Sequence, residues 1–577
     1  MIRPIFIAIF CCLSFVAARV ANAQDAPPSD QQSLLPEIDP QDIEIRSQFQ
    51  ARFPGLRRQP ILGFNPRPRV FQIDPNRMPF VEDLETVAAN LPIGELERPE
   101  APVFRPLGYA DPQNGFARLG LGSYVSPEAD VFALTRLGER NWVSGNLNYI
   151  STNGHLSDLN SSFRDFDVDI NTFTALSHRT KVSANVGVYS GFNHYPGLIT
   201  ENDAPVNIGS RNELFGIRGG VDLKVARTSL SGFEFGLHSH SNRFDIASGL
   251  DGYAGVVNDW GVRTRLEYSR LGENIEEVYR LRFRNQTGGN ETLMSGMDTY
   301  SVSNLSIHYE RLFNYQTDVK ADLGVAVAID AVDDFSLYLT PDLSVTHTLF
   351  PGLDVKGRLY GKAYQNTLSA VHSENNFIDF MVPLRHSYEA GVLAEVIIEP
   401  YRGTRLNGGV SYQNIRNYLY YNRNENDILF EGASLVEGYY QPAFSRANIF
   451  RVYGGFTQDV RPDVVWVSAD GYWQVPRLTG NEKIPFIESI GLKASVAFRP
   501  ASEVVIEGWT EYSARRVDSF GNNMPSFILI GSRFEISLND KVGVYGKLLN
   551  LTNESYELWQ GYTERGFQAF AGVTYLF

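Results

Sequence analysis

The sequence predicts an all-β protein: an antiparallel transmembrane barrel of about 22 strands in a bacterial outer membrane, preceded by a short irregular N-terminal arm. Three observations predict it. In segment 567–577, Ala569, Ala571, Val573, Tyr575 and Phe577 fall on every second position, while Gln568, Gly572 and Thr574 take most of the other face. Period two is the signature of a strand. The same alternation recurs from about Gly115 onward, and the connections between the alternating stretches are long and short in turn. An apolar strand ending at Phe577 would invite aggregation as an exposed edge. In a closed outer-membrane barrel it pairs with the first strand and meets lipid.

The N-terminus agrees with export. Arg3 precedes an almost uninterrupted apolar run over 5–18, and Ala21-Asn22-Ala23 is a small-x-small cleavage site. Residues 1–23 are expected to be a cleaved signal peptide, leaving Gln24 as the first mature residue. The run is too short for a membrane anchor and is broken by Arg19. No small residue precedes Cys11 and Cys12, which argues against a lipoprotein signal. Both cysteines lie in the expected leader, so the mature chain would hold no disulfide and no thiolate metal site, which suits passage through an oxidising periplasm. The formal charge of −15 argues against nucleic acid as a partner. No motif calls for a metal or a cofactor, and neither a phosphate-binding loop nor a dinucleotide fingerprint is present, so an enzyme is not expected. Aromatic residues at 12% and 50 glycines suit a barrel with interfacial rings and close strands.

Residues 24–110 form the predicted arm, periplasmic or lumenal. They carry 14 of the 29 prolines, and fixed φ with missing N–H donors makes them poor helix or strand formers. Only 81–91 reads as a short helix. Arg46, Arg52, Arg57 and Arg58, continued by Arg67, Arg69 and Arg77, give the arm a basic stretch. This is either a solvated linker or a segment docked on an acidic surface, inside a pore or on a partner.

Residues 111–577 are assigned to the barrel. Twenty-two alternating stretches, the first centred near 119 and the last near 572, fill it. Long connections are expected at 193–211, 241–259, 285–299, 367–386, 421–446 and 550–566, and short ones at 177–181, 227–230, 271–275, 351–352, 400–403, 461–463 and 539–541. Short periplasmic turns and long external loops are the outer-membrane pattern. The strands show two faces. Val262, Thr264, Leu266 and Tyr268 would face lipid, with Arg263, Arg265 and Glu267 in the lumen. Tyr279, Leu281 and Phe283 point outward and Arg280, Arg282 and Arg284 inward; Lys356 and Arg358 likewise point inward. A charge on the lipid face near midplane costs about 2–4 kcal/mol, which forces this orientation. The lumen should then be polar, and the cations Arg263, Arg265, Arg280, Arg282, Arg284, Lys356 and Arg358 are the candidate ligand-binding set, suited to anionic groups. The alternative is a wall whose charges pair with Glu267, Glu277 and their neighbours. His238 and His240 share a strand face, so they read as a metal pair or as ordinary lumen residues.

Near the C-terminus, Asn550-Leu551-Thr552-Asn553-Glu554-Ser555-Tyr556 is followed by Trp559-Gln560-Gly561-Tyr562 and the final strand. This resembles the end of TonB-dependent outer-membrane receptors, whose penultimate strand closes with Asn-Leu-x-(Asn/Asp)-x-x-Tyr before a loop leading to a terminal aromatic strand. Tyr418–Tyr421 and Phe430-Glu431-Gly432-Ala433 also resemble that family's late barrel. The resemblance implies a receptor or transporter barrel binding or taking up an extracellular solute, with TonB as a partner. It also implies that Val573, Tyr575 and Phe577 are the assembly signal read by the barrel-assembly machinery, with outer-membrane lipids around the barrel. The arm departs from the family: 24–110 is shorter than the family's plug domain and lacks its alternation. A non-transporting scaffold that docks a lipoprotein or assembly partner is therefore the second reading. A barrel this wide needs an occluder, and residues 46–77, facing Glu310, Glu389, Glu395, Glu507, Glu511 and Glu535 in the lumen, or a partner protein, are the expected ones.

Overall fold

The structure, a computed structural model, describes residues 114–577 except 157–160, 196–199, 202–203, 206–209, 229–230, 248–253, 273–276, 294–295, 314–315, 333–334, 380–381, 424–428, 431–432, 435–438 and 463. The leader at 1–23, the arm with Arg46, Arg52, Arg57 and Arg58, and the short helix expected at 81–91 lie outside the described residues.

Twenty-two strands follow in sequence. The first eleven are β1 (Gly115–Gly122), β2 (Ser126–Arg136), β3 (Asn141–Thr152), β4 (Phe163–Ser177), β5 (Thr180–Tyr195), β6 (Ser210–Thr228), β7 (Ser231–Ala247), β8 (Ala254–Leu271), β9 (Glu277–Glu291), β10 (Met297–Phe313) and β11 (Thr317–Ile329). β12 comes in two segments, Ser336–Leu339 and Asp342–Phe350, broken at Thr340 and Pro341, where proline has no N–H for the ladder. The rest are β13 (Leu353–Gln365), β14 (His386–Ile398), β15 (Thr404–Arg423), β16 (Tyr440–Arg461), β17 (Val465–Leu478), β18 (Ile490–Ala501), β19 (Val504–Ala514), β20 (Phe527–Ser537), β21 (Val542–Leu549) and β22 (Gln568–Leu576). Every strand centre expected from the alternation falls inside one of them. Each strand pairs antiparallel with the next, and β22 pairs back onto β1 from Phe116↔Leu576 to Gly122↔Phe570. The ring is closed, with no free edge.

The register sends the alternating faces where lipid requires. Leu281, Ile307, Leu323 and Val573 stand exposed on the outside, while Arg282, His308 and Asp322 converge inside. The seam is held by more than ladder bonds. Gly115 N donates to Phe577 O at 2.8 Å, and Phe577 N to Gly115 O at 3.0 Å. On the lumen side Tyr545 Oη donates to Glu128 Oε1 at 2.5 Å and Lys547 Nζ to Glu128 Oε2 at 2.7 Å, bridging β21 and β2 over the closing pair. Gly120 and Gly572 leave room for the Tyr545 ring: a Cβ at either position would lie within 2.6 Å of it. Val573, Tyr575 and Phe577 point outward, so the proposed assembly signal is also the lipid face of the closing strand. Deleting Phe577 removes both terminal seam bonds and should lower the outer-membrane yield of heat-modifiable barrel. Unchanged yield in the membrane fraction would contradict this.

The C-terminal motif has a local physical reason. Asn550 and Asn553 both adopt positive φ, of 48° and 49°, a conformation asparagine tolerates better than most residues. Asn550 Oδ1 accepts from Glu554 N at 2.9 Å, and its Nδ2 donates to Glu554 O at 2.8 Å and Arg565 O at 3.2 Å. Tyr556 then packs on Phe527, with ring centroids 4.7 Å apart. The motif is a stapled turn out of β21.

Connection lengths needed correction. The stretches 241–259 and 285–299 are mostly strand, because β7 runs to Ala247 and β8 begins at Ala254, and β9 and β10 reach Glu291 and Met297; 421–446 is shortened at both ends, where β15 reaches Arg423 and β16 begins at Tyr440. A strand needs about 9–11 residues to cross a bilayer, yet β6 has 19 residues, β15 has 20 and β16 has 22. The excess projects on the long-connection side. There the outer face no longer needs to be apolar. Arg243 pairs with Asp245, and Asn258 binds Glu291, on outward positions. Loss of the apolar face erases the alternation by which a strand is recognised in sequence.

Candidate functional site

The candidate ligand-binding cations sit on the lumen wall, but most of them are spoken for. Register sets Glu267 opposite Arg282 and Arg265 opposite Arg284. Glu267, almost fully buried, receives three guanidinium groups: Arg265 at 3.1 Å, Arg280 at 3.6 Å and Arg282 at 3.1 Å. Arg282 also reaches Asp322 at 2.6 Å, Arg280 reaches Glu310 at 3.3 Å, and Arg358 grips Asp342 through two bonds of 2.7 and 2.8 Å. Four of the seven are thus ion-paired. Arg263, Arg284 and Lys356 carry no ion pair among the described residues, and of these Arg263 and Arg284 line the main cavity.

That cavity is about 1030 Å³ and is lumenal. Its lining sets six Lys or Arg residues against five Asp or Glu. The charges are interleaved. β8, β9 and β13 supply Arg263, Arg265, Arg284 and Arg358, with Asp322, Asp342 and Glu389 among them. β4 supplies Asp169, which Arg218 binds together with Asp167, the latter at 2.7 Å. His238 and His240 are engaged separately. Each faces its own carboxylate, Asp222 at 3.1 Å and Asp259 at 3.6 Å, and no cluster of metal-ligand type occurs among the described residues.

The carboxylates expected to receive the arm already have barrel partners. Lys320 holds Glu310 at 2.9 Å, Arg533 holds Glu507 at 2.8 Å and Lys493 holds Glu511 at 2.7 Å. Lys362 lies 3.9 Å from Glu389, Asn407 reaches Glu395 at 3.5 Å, and Glu535 is buried.

The feature that sequence reading missed is a cap. The connection 366–385 between β13 and β14 carries the helix α1 (Leu368–Glu374). Thr367 caps it, its Oγ1 accepting from Ala370 N at 3.3 Å. Leu368, Val371 and His372 bury one face of the helix. On one side of the ring, Asn212 Nδ2 donates to Asn376 O at 3.1 Å and Asp259 Oδ2 accepts from Ser369 N at 3.4 Å. On the other side, Tyr421 Oη donates to Glu374 Oε2 at 3.1 Å, and Tyr440 exchanges backbone bonds with Phe377 and Asp379. Phe377 stacks on Tyr562 with centroids 3.6 Å apart. A hydrophobic core joins Phe244 and Val257 of the wall to Leu368, Val371 and Ile378 of the cap, and to Tyr440 and Tyr562 beyond it. Each such side chain contributes roughly 1.5–3 kcal/mol on burial. The cap therefore closes one mouth of the lumen as a packed lid. Thr367 followed by Leu368 and Val371 at helical spacing was the available sequence signal.

The cap contains a titratable hinge point. Burial pulls the His372 imidazole down to about 4, against about 6.5 for a free histidine. The closed cap holds the neutral form, so its stability is full above 6.5 and falls as pH drops from 6.5 towards 4. Glu374, whose carboxyl is pushed up by burial, works in the opposite direction, because protonation relieves its cost of burial. Asp259, bonded to Ser369 N, is the wall carboxylate at the helix. The His372 contribution is at most about 3 kcal/mol. Protection against hydrogen exchange across 366–385, corrected for the intrinsic pH dependence of amide exchange, should fall between pH 6.5 and 4, and His372→Leu should flatten that fall. A pH-independent protection factor in the parent protein would refute it.

A closed, 22-stranded antiparallel ring with a polar lumen has the fold of a bacterial outer-membrane barrel, and that fold supports a place in the outer membrane. No protein-family profile and no curated protein matches the sequence. Solved structures do match in fold. The FrpB iron transporter from Neisseria meningitidis superposes with a TM-score of 0.63 at 9% identity, over 81% of this chain and 82% of that one. The copper transporter OprC gives 0.62 at 10% identity, over 83% and 82%. The ferric enterobactin receptor PfeA from Pseudomonas aeruginosa, bound to enterobactin, gives 0.62 at 11% identity, over 80% and 81%. At such identities the likeness is one of fold. Among the described residues no plug domain is present.

Proposed function

We propose that this chain is an outer-membrane receptor that takes up an extracellular solute through its lumen. The observation that carries the reading is the polar lumenal cavity of about 1030 Å³ in a barrel that also carries a packed cap. A purely structural barrel has no need of a charged lumenal space of this size. The fold neighbours, whose names describe iron and copper transporters and an enterobactin receptor, support it. Within the cavity, Arg263 and Arg284, which carry no ion pair among the described residues, meet an anionic group of the solute, and the capped mouth faces the outside of the cell. Energy comes from TonB. The arm arginines Arg46, Arg52, Arg57 and Arg58 dock on a periplasmic partner, since the lumen carboxylates proposed for them are engaged.

Uptake is tested in cells expressing or lacking the barrel, each with and without TonB, by accumulation of iron-55 and copper-64 complexes and of radiolabelled neutral and anionic solutes. Accumulation that needs both proteins is the expected result. Equal accumulation in all four strains, together with recovery of a lipoprotein on purification from native membranes, would favour the scaffold reading instead.

A further inference from the structure

A second cavity of about 270 Å³ lies beneath the cap, against β15 and β17–β20. Its walls are unlike those of the main lumen. Tyr418, Tyr472, Phe486 and Trp559 supply aromatic surface. Trp559 is locked in place by Phe486 at 4.9 Å and by Tyr421 at 5.1 Å between ring centroids, so its orientation is preformed. Three carboxylates also line the space, and each has one side-chain partner among the described residues. Tyr421 donates to Glu374, Tyr472 donates to Glu488, and Lys493 pairs with Glu511 at 2.7 Å. Each carboxylate retains accepting capacity after that single bond.

Arg516 completes the lining and is the odd member. Its residue is only 3% exposed, and it has no carboxylate bond among the described residues. Its Nη1 and Nη2 donate to the carbonyls of Leu558 and Pro525, both at 3.2 Å, and its Nε has no hydrogen-bond partner. That Nε is sealed from the cavity, but each Nη carries a second N–H beyond the bond it makes.

The electrostatics select among ligand classes. An anion would be placed among Glu374, Glu488 and Glu511 and repelled. An organic cation would meet the aromatic faces favourably, but its charge would stand beside those of Arg516 and Lys493, and it offers neither of them an acceptor. A wholly apolar ligand would leave the carboxylates and Arg516 dry and unpaired. A neutral ring with hydroxyl groups around its edge and an apolar face satisfies every wall: the face stacks on Trp559 and the tyrosines, hydroxyls donate to the carboxylates, and a ring oxygen accepts from Arg516. We propose that this cavity is a binding subsite for a neutral saccharide unit. The inference rests on the receptor reading above and names part of what the receptor recognises.

Equilibrium binding to the purified full-length barrel in detergent tests it. The probes are maltotriose and tri-N-acetylchitotriose as neutral saccharides, choline as the cation and citrate as the anion, followed by tryptophan fluorescence and by calorimetry. Saturable binding of at least one saccharide is expected, weakened tenfold or more by Trp559→Ala and by Glu488→Gln, with both variants retaining heat-modifiable mobility. The second substitution keeps shape, so it separates lost recognition from lost folding. Absence of saccharide binding, binding of choline or citrate in its place, or saccharide binding that survives both substitutions would overturn the proposal. Solute accumulation without saccharide binding would sink this subsite alone, and saccharide binding without accumulation in any strain would sink the uptake reading alone.

Discussion

Replacing residues 366–385 with a short glycine–serine link should convert a poorly conducting barrel into an open channel. The cap is the packed obstruction at the mouth, and its removal takes away α1, Phe377 and Ile378 together with their contacts to Phe244, Tyr440 and Tyr562. The polar wall beneath is compatible with water, because Arg218, Arg265, Arg282 and Arg358 keep their ion pairs without the cap. In planar bilayers we expect a several-fold rise in single-channel conductance, and in cells a matching sensitivity to large antibiotics. Removal of residues 24–100 should have a smaller effect. If conductance instead rises only when 24–100 is deleted, the arm fills the lumen and the cap is merely a folded loop. The comparison of the two deletions in one background makes the assignment.

The second large effect should come from Glu267→Gln. The side chain keeps its shape and loses its charge, leaving Arg265, Arg280 and Arg282 around a neutral amide with Arg284 across the ladder from Arg265. Glu234, Glu310 and Asp322 remain as partners for individual arginines, but the shared anion is gone. Breaking a buried ion pair from one side typically costs about 3–5 kcal/mol, and here one carboxylate serves three cations. The temperature at which the barrel loses its detergent-resistant mobility should fall well below that of the parent. Adding Arg265→Gln should restore part of the loss, because one unpaired cation is removed. An unchanged transition temperature in the single variant would show that water in the lumen screens these charges enough to make the hub dispensable.

Both effects depend on features of different legibility. The hub was half visible. Arg263, Arg265, Arg280, Arg282 and Arg284 could be placed on one wall from alternation alone, because in a strand the side-chain period is two and lipid forbids charge on the other face. Which arginine meets which carboxylate could not. A shift of register by two residues keeps every face correct and changes every partner, and only the paired ladder shows that Glu267 lies opposite Arg282. The cap was less visible still. Its helix is seven residues long, too short to be stable alone, and it is ordered by Phe244, Tyr421, Tyr440 and Tyr562, each distant from it in sequence.

The sequence by itself determined the strand number, the closed ring and the two faces of each strand. Those properties are local: alternation needs only neighbouring residues, and a bilayer rewards it one strand at a time. Where strands β7, β8 and β16 leave the membrane that reward ends, and their extensions were read as loops. The tertiary structure alone decided what closes the mouth, which lumen cations remain free and where an aromatic cavity forms beneath the cap. Each of these requires groups from strands far apart in the chain to meet across a ring, and contact across a ring leaves no periodic trace in the sequence.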